Sequence, residues 1–290
     1  MFPGEIQILS WLEGFRNPFW NRFWEIVTLF GEDTVMIALI SILYFMMDKK
    51  AAYRLCFLTV TSLGINGIVK NLFRTPRPFV TGNITCLRPE SATGYSFPSG
   101  HTQNFTTWSL ALASQWKNPL LWIFGIFGSL LMGISRMFLG AHYLSDVIGA
   151  WILGSTVFLA GSYLYERYSD KKQLYQRVFL LFTPFFFFFL WKEDSLFSDF
   201  FKCYGLLGGF LSALPLEANY GDFKMEVSFF KKLVRVILAT VLAIGLKEGL
   251  SLLWKPEILR ISLVWDSFRY FILAFIMFGI YPVIIKKCNF

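Results

Sequence analysis

A polytopic, all-α membrane helical bundle of about nine spans is what this sequence predicts. The first observation is composition. Of 290 residues, 55% are hydrophobic and 19% aromatic, Phe alone occurs 34 times, and only 16% are charged. A soluble domain cannot bury that much apolar surface. The second is segmentation: apolar runs alternate with charged or Pro/Gly punctuation. The third is the placing of basic pairs. With spans alternating in direction, Lys49-Lys50, Lys171-Lys172, Lys231-Lys232 and Lys286-Lys287 all fall on one side. Cytoplasmic loops are enriched in Lys and Arg, so that side is expected to be cytoplasmic. The formal charge of +8 then concerns membrane orientation, and nucleic acid is not expected as a partner.

Residues 5–30 mix apolar and polar residues and carry Trp11, Trp20 and Trp24. Aromatic-rich amphipathic segments sit at the membrane interface, so two short surface helices are expected, broken near Asn17-Pro18. A cleavable signal is not expected: there is no basic start, and Glu5 and Glu13 interrupt the apolar run. Spans follow near 33–48, 51–74, 101–116, 119–139, 143–166, 174–191, 200–215, 231–250 and 268–285. Several are shorter than the roughly 20 residues of a straight crossing, which implies local thinning, polar helix extensions or incomplete crossings. The run TPFFFFFLW at 183–191 reads as a lipid-facing aromatic stripe. NIT at 83–85 has the form of a glycosylation sequon, with meaning only in a eukaryotic secretory compartment. Cys56, Cys86, Cys203 and Cys288 lack metal-type spacing and read as isolated thiols, with one Cys86–Cys203 bridge left open.

Three stretches carry chemistry, and the span order returns all of them to the side opposite the basic pairs. In KNLFRTPRP, Lys70 and Arg77 are seven residues apart, two helical turns, although Thr75-Pro76 and Pro78 interrupt the helix. Taken alone, such cations could simply snorkel to headgroups. In GYSFPSGHTQNF, Ser99 can cap a helix beginning near His101, and Gly100 permits close backbone approach. The free N–H groups of that helix start, with the Ser99 hydroxyl, form a seat for a phosphate. In SRMFLGAHYLSD, His142 and Asp146 are i and i+4, so a carboxylate can hold one imidazole nitrogen and leave the other free. Alone, that pair could equally be structural. Together with Arg136, the three groups describe a pocket of three cations, two imidazoles, one carboxylate and a helix N-terminus. Such a pocket suits a dianion with a leaving group, the requirement of phosphoryl transfer.

These residues resemble the type 2 phosphatidic acid phosphatase family, whose fold and motifs are shared with glucose-6-phosphatase and the vanadium haloperoxidases. The family pattern is K-x6-R-P, then P-S-G-H, then S-R-x5-H-x3-D. Every specified position is met, by Lys70, Arg77 and Pro78, by Pro98, Ser99, Gly100 and His101, and by Ser135, Arg136, His142 and Asp146. The resemblance covers about residues 20–165. It implies a six-helix phosphatase core followed by extra C-terminal spans. It also implies roles: His142 as nucleophile, Asp146 orienting it, and His101 as acid and then base. Lys70, Arg77, Ser99, Gly100 and Arg136 would hold the non-bridging phosphate oxygens. No metal and no other cofactor is expected, since the cations supply the charge stabilisation.

The expected organisation is therefore interfacial helices over 1–31, a phosphatase core over 32–191 and accessory transmembrane helices over 192–290. The leading expectation is a bacterial-type integral membrane phosphatase acting on an isoprenoid or glycerolipid phosphomonoester or pyrophosphate, with its site outside the cytoplasm. Lipid phosphate and membrane lipids would be its partners, and the oligomeric state is open. A phosphatase of soluble esters such as sugar phosphates is the alternative. A transporter on the same fold is a third reading, resting on Lys247 and Glu248 near the eighth span. The loop 79–97 would form a lid. Its Arg88 and Glu90 could contact the headgroup or simply form a solvated pair.

Overall fold

A computed structural model describes residues 4–289 apart from Asn83 and Ser169, and at Ser195 the backbone alone. The NIT sequon falls on Asn83, outside the described residues. Every regular element among the described residues is helical. The chain forms two compact units, Met1–Met36 with Thr61–Leu164, and Ile37–Val60 with Tyr165–Phe290.

The first unit opens with α1 (Glu5–Glu13) and α2 (Pro18–Leu29). The expected break is present. Asn17 caps α2 by accepting the Trp20 N–H, and Pro18 occupies the first helical position, where its missing N–H costs nothing. A turn at Phe30–Glu32 leads to α3 (Asp33–Ile42), which enters the second unit and continues as a π-helical turn to Met47. The helix α4 (Lys49–Phe73) contributes Thr61–Phe73 to the first unit. An irregular segment follows, broken by one short turn at Pro89–Ser91, before α5 (Gly100–Trp116), α6 (Pro119–Phe138) and α7 (Leu144–Arg167).

The facing halves of α4 and α5 are zipped by polar groups. Asn66 Nδ2 donates to Gln103 Oε1 at 2.9 Å, and Gln103 Nε2 donates to the Ser62 carbonyl at 2.9 Å. Ser62 Oγ donates to Asn104 Oδ1 at 2.8 Å. In a lipid setting such groups have no water to turn to, so pairing them across helices fixes the register. On the other side, Leu9, Ile84, Met137, Tyr143 and Val147 form an apolar cluster that seats α1 against α6 and α7. Glu5 does not merely interrupt an apolar run. It is buried, and its Oε1 accepts the Ser145 N–H at 2.5 Å, satisfying an orphan donor in the first turn of α7.

In the second unit α8 (Lys171–Lys192), α9 (Ser198–Leu216), α10 (Phe229–Leu253), α11 (Leu259–Phe275) and α12 (Tyr281–Lys287) pack with the start of α4. The pair α9 and α11 crosses at backbone contact: a Cβ on Gly205 would lie 1.9 Å from the Ser267 carbonyl oxygen, and one on Gly209 2.1 Å from that of Phe271. Small residues four apart are how membrane helices approach so closely. The phenylalanine run departs from a one-sided stripe. Phe187, Phe188 and Trp191 are exposed, but Phe189 is fully buried against Phe197 and Phe200, because five consecutive residues span more than a full helical turn. All four cysteines are free thiols.

Helices occur at every expected span. Among the described residues six are long and apolar enough to cross a membrane: α4, α6, α7, α8, α10 and the Leu259–Lys287 run. The pair Pro18–Leu29 and Asp33–Met47, bent by 48°, would make a seventh. The helix α5, at 17 residues, is too short, and α9, at 19, is not apolar enough, so nine is an approximate count. The chain is an integral membrane protein.

Candidate active site

The three sequence stretches meet within the first unit, and they do so through loops more than through helical faces. The helix α4 ends at Phe73, and Arg74 adopts a left-handed φ of 50° that turns the chain away. Lys70 and Arg77 therefore do not share a helix face, as their spacing suggested. Lys70 comes from the last turn of α4, and Arg77 from the segment after it. Lys70 is buried, and its Nζ lies 3.9 Å from where a Cβ on Gly100 would be, which sets the ammonium beside the start of α5.

Arg77 is the hub. Its Nε donates to the Gly94 carbonyl at 2.9 Å, its Nη1 to the Ala141 carbonyl at 3.0 Å, and its Nη2 to that of Thr93. Nη1 also lies 3.0 Å from His142 Nε2. A guanidinium can only donate, so Nε2 must carry the lone pair and Nδ1 the proton. Nδ1 then donates to Asp146 Oδ2 at 3.2 Å.

The His142–Asp146 pair forms, but not along a helix. The helix α7 begins at Leu144, so His142 precedes it and Asp146 sits in its first turn. Asp146 Oδ2 accepts the Tyr143 N–H at 2.8 Å, an acidic side chain in the first turn reaching back to the residue before the helix. The same oxygen accepts the Ser96 hydroxyl at 2.5 Å. Gly140 makes the turn between Arg136 and His142 possible. Its φ is 75°, and a Cβ there would lie 2.3 Å from the Thr85 carbonyl oxygen.

Ser99 sits at the N-terminal boundary of α5 in an extended conformation. It makes no side-chain cap, and its hydroxyl pairs with that of Thr102 at 2.9 Å. Its backbone N–H donates to the Asp146 carbonyl at 3.1 Å, tying the starts of α5 and α7 together. His101, in the first turn of α5, has an Nε2 that is hidden from solvent and makes no hydrogen bond. Arg136 is completely buried. Its Nη1 donates to Thr28 Oγ1 at 2.8 Å and to Ser91 Oγ at 3.2 Å, its Nη2 to the Ser91 carbonyl at 3.3 Å, and its Nε has no partner.

Burial holds His142 well below the usual imidazole range, and the positive charges of Arg77, Arg136 and Lys70 act in the same direction. The imidazole is thus neutral at neutral pH, with its lone pair on Nε2. Such a site can attract an anion, offer it several N–H donors and present a nucleophilic nitrogen.

Sequence reasoning did not single out Ser96, Thr28 or Ser91. Each is a lone hydroxyl without periodicity, and only the fold brings it to a charged partner. Lys247 and Glu248 lie in α10, in the second unit, 3.9 Å apart. Among the described residues no group of three or more His, Cys, Asp or Glu gathers as a candidate metal site.

Fold and site together define a helical membrane protein whose first unit gathers Lys70, Arg77, Arg136, both histidines and Asp146. Residues 51–170 match the PAP2 superfamily, and residues 201–290 match the transmembrane extension of PAP2 superfamily phosphatases. The chain belongs to the PAP2 superfamily. It is 30% identical over 141 residues to an undecaprenyl-diphosphatase of Sulfolobus acidocaldarius, covering 47% of this chain and 66% of that protein. It is 34% identical over 111 residues to an undecaprenyl-diphosphatase of Bacillus subtilis, covering 38% and 54%. A phosphatidylglycerophosphatase B of Bacillus subtilis is 28% identical over 157 residues, covering 49% and 74%. The chain thus spans less than two thirds of the length of the first two. A crystal structure of a transmembrane PAP2-type phosphatidylglycerolphosphate phosphatase from Bacillus subtilis superposes with a TM-score of 0.49 at 24% identity, covering 58% of this chain and 87% of that one.

Proposed function

We propose that the protein is a phosphatase that hydrolyses a lipid phosphomonoester or pyrophosphate, isoprenoid or glycerolipid, through a phosphohistidine on His142. The observation that carries this is the pair of bonds on one imidazole: Asp146 holds Nδ1, and Arg77 sits on the lone pair of Nε2. A phosphoryl oxygen entering the pocket can take over the Arg77 N–H. Phosphorus then faces Nε2.

In the first step the Nε2–P bond forms and the bond from phosphorus to the leaving oxygen breaks. Before substrate binds, burial and the neighbouring cations hold His101 well below the usual imidazole range. The negative charge of the bound substrate favours its protonated form, which gives its proton to that oxygen. The His142 ring becomes cationic, and Asp146, steadied by Ser96 and the Tyr143 N–H, balances it. Lys70, Arg77, Arg136, the Ser99 hydroxyl and the Gly100 amide hold the equatorial oxygens, where charge develops. In the second step His101 takes a proton from water, the water oxygen bonds to phosphorus, and the Nε2–P bond breaks to release phosphate. These fixed cations supply the charge stabilisation without a metal ion. On this reading the site lies outside the cytoplasm, a placement supported by the sequence pattern that puts the basic pairs on the cytoplasmic side.

Lipid substrates are favoured over soluble esters by the lipid phosphatases among the relatives and by the membrane setting of the site. The experiment is a substrate panel on the purified, reconstituted chain, with a lipid diphosphate, phosphatidate, phosphatidylglycerol phosphate and glucose 6-phosphate, and with His142→Ala beside the wild type. Hydrolysis of lipid substrates by the wild type and none by the variant is expected. Full activity in His142→Ala would end the proposal.

A further inference from the structure

We propose that Arg88 is a specificity-determining contact for the second phosphate of a lipid diphosphate. This rests on the phosphatase reading above.

Arg88 lies outside the cradle but is joined to it on two sides. Its carbonyl accepts the Ser91 N–H at 3.2 Å and the Ser91 hydroxyl at 2.9 Å. That same serine holds the Arg136 guanidinium. Its head group lies 2.9 Å from Glu32 and 3.1 Å from Glu90. Glu32 directly follows Gly31, which is pressed onto His101: a Cβ on Gly31 would lie 2.9 Å from both His101 Cβ and Cδ2. Arg88 is therefore joined to the phosphate-holding Arg136 through one residue, Ser91, and to the proposed acid through two, Glu32 and Gly31.

It is also held in a way that can be undone. Glu32 Oε1 lies at contact distance from Arg88 Nη1, yet this oxygen makes no hydrogen bond, so the attachment is charge attraction without aimed geometry. Glu90 is 65% exposed, which sets the pair towards open space rather than within the packed interior. A bidentate anion can replace both carboxylates on such an arginine.

The position fits the chemistry of a diphosphate. When His142 attacks the terminal phosphorus, the bridging P–O bond breaks and the leaving group is the lipid monophosphate, which carries away the electron pair. The leaving oxygen lies on the His101 side, and the phosphate that bears it extends past His101 towards Glu32 and Arg88. A leaving phosphate is a much weaker base than an alkoxide. It needs less protonation and more fixed positive charge, which a guanidinium supplies. A phosphomonoester has an alkoxide leaving group and places no second anion there.

The test compares farnesyl diphosphate with phosphatidate as substrates for the reconstituted full chain. In Arg88→Gln, kcat/KM for the diphosphate should fall about 10- to 100-fold, the worth of a charged hydrogen bond, with phosphatidate changed less than about threefold. Arg88→Lys should recover part of the loss, and Glu32→Gln, which frees Arg88, should lower KM for the diphosphate alone. If Arg88→Gln lowers both substrates equally, or neither, the subsite is wrong while the phosphatase reading stands. Should Arg88→Gln not fold, a Glu32→Gln variant with unchanged KM for the diphosphate overturns the proposal by itself. Absence of hydrolysis of either substrate by the wild type overturns the phosphatase reading, and the subsite with it.

Discussion

Ser96→Ala removes one hydroxyl and leaves every proposed reacting group in place. Ser96 is fully buried, and its Oγ donates to Asp146 Oδ2 at 2.5 Å while lying 3.4 Å from His142 Nδ1. A hydrogen bond to a buried carboxylate is worth about 1.5–3 kcal/mol. It matters most once His142 carries a phosphoryl group and positive charge, because the carboxylate must then balance that charge from a fixed position. If the full worth appears in the barrier, kcat falls about 10- to 100-fold, at about 1.4 kcal/mol per decade. KM should move little, since Ser96 touches no phosphate ligand. The assay is phosphate release from a lipid phosphate in detergent micelles, with acid-quenched trapping of the phosphoenzyme and a melting curve for each variant. A kcat within threefold of wild type, or a loss confined to KM, would refute the claim that Ser96 acts through Asp146.

Four further outcomes are expected. The chain has only His101 and His142, and burial with the surrounding positive charges holds both below the ordinary imidazole range. Selective ¹⁵N-histidine NMR of the substrate-free protein should therefore show both rings neutral as pH falls through about 6.5, with the His142 proton on Nδ1. Titration of His142 in that ordinary range, or the opposite tautomer, would contradict the geometry. Thr28→Val, which removes a 2.8 Å bond to Arg136, should raise KM or inhibitor constants about tenfold with a smaller change in kcat. Gly140→Ala should lower expression and thermal stability by at least about 1–3 kcal/mol, because a strained φ and a clash with Thr85 both oppose it. Activity should persist in EDTA and be blocked by vanadate; a strict metal requirement would overturn the mechanism.

The residues proposed to carry reaction chemistry were legible because they are types with few other reasons to lie at span ends. The two histidines, the three cations and Asp146 are charged or titratable groups in a chain that has little charge to spare. How they meet was not legible. Lys70 with Arg77, and His142 with Asp146, carry helical spacing, yet a left-handed Arg74 ends the first helix and α7 starts only at Leu144. The His142–Asp146 pairing survives because loop geometry, fixed by Gly140 and the Ser96–Asp146 bond, replaces helical periodicity. The supporting hydroxyls, Thr28, Ser91 and Ser96, were invisible for a related reason. A serine in a loop carries no pattern until a distant segment arrives. The span count stays approximate at α5 for a third reason: the helix expected over 101–116 forms, but the polar residues that zip it to α4 make it less apolar than a lipid-facing span.

The way the arginines are held explains why the site is charged at all. Arg136 is buried and bonded to two hydroxyls and a carbonyl, and Arg77 to three carbonyls and an imidazole nitrogen. A carboxylate partner would hold a guanidinium as firmly, but it would also cancel its charge. Neutral acceptors fix the direction of the fork and leave the field intact. The cost is burial of like charges without full compensation, several kcal/mol per ion. An oxyanion that enters the pocket offsets that cost, so ligand binding and folding stability are linked. Vanadate at about one hundred times its dissociation constant should therefore stabilise the wild type by about 2.7 kcal/mol, read as a rise in melting temperature. Arg136→Met should melt at or above the wild type without vanadate and lose that rise. If vanadate leaves the melting temperature of the wild type unchanged while inhibiting it, the inhibitor acts elsewhere, and the charged pocket is not where the phosphoryl group binds.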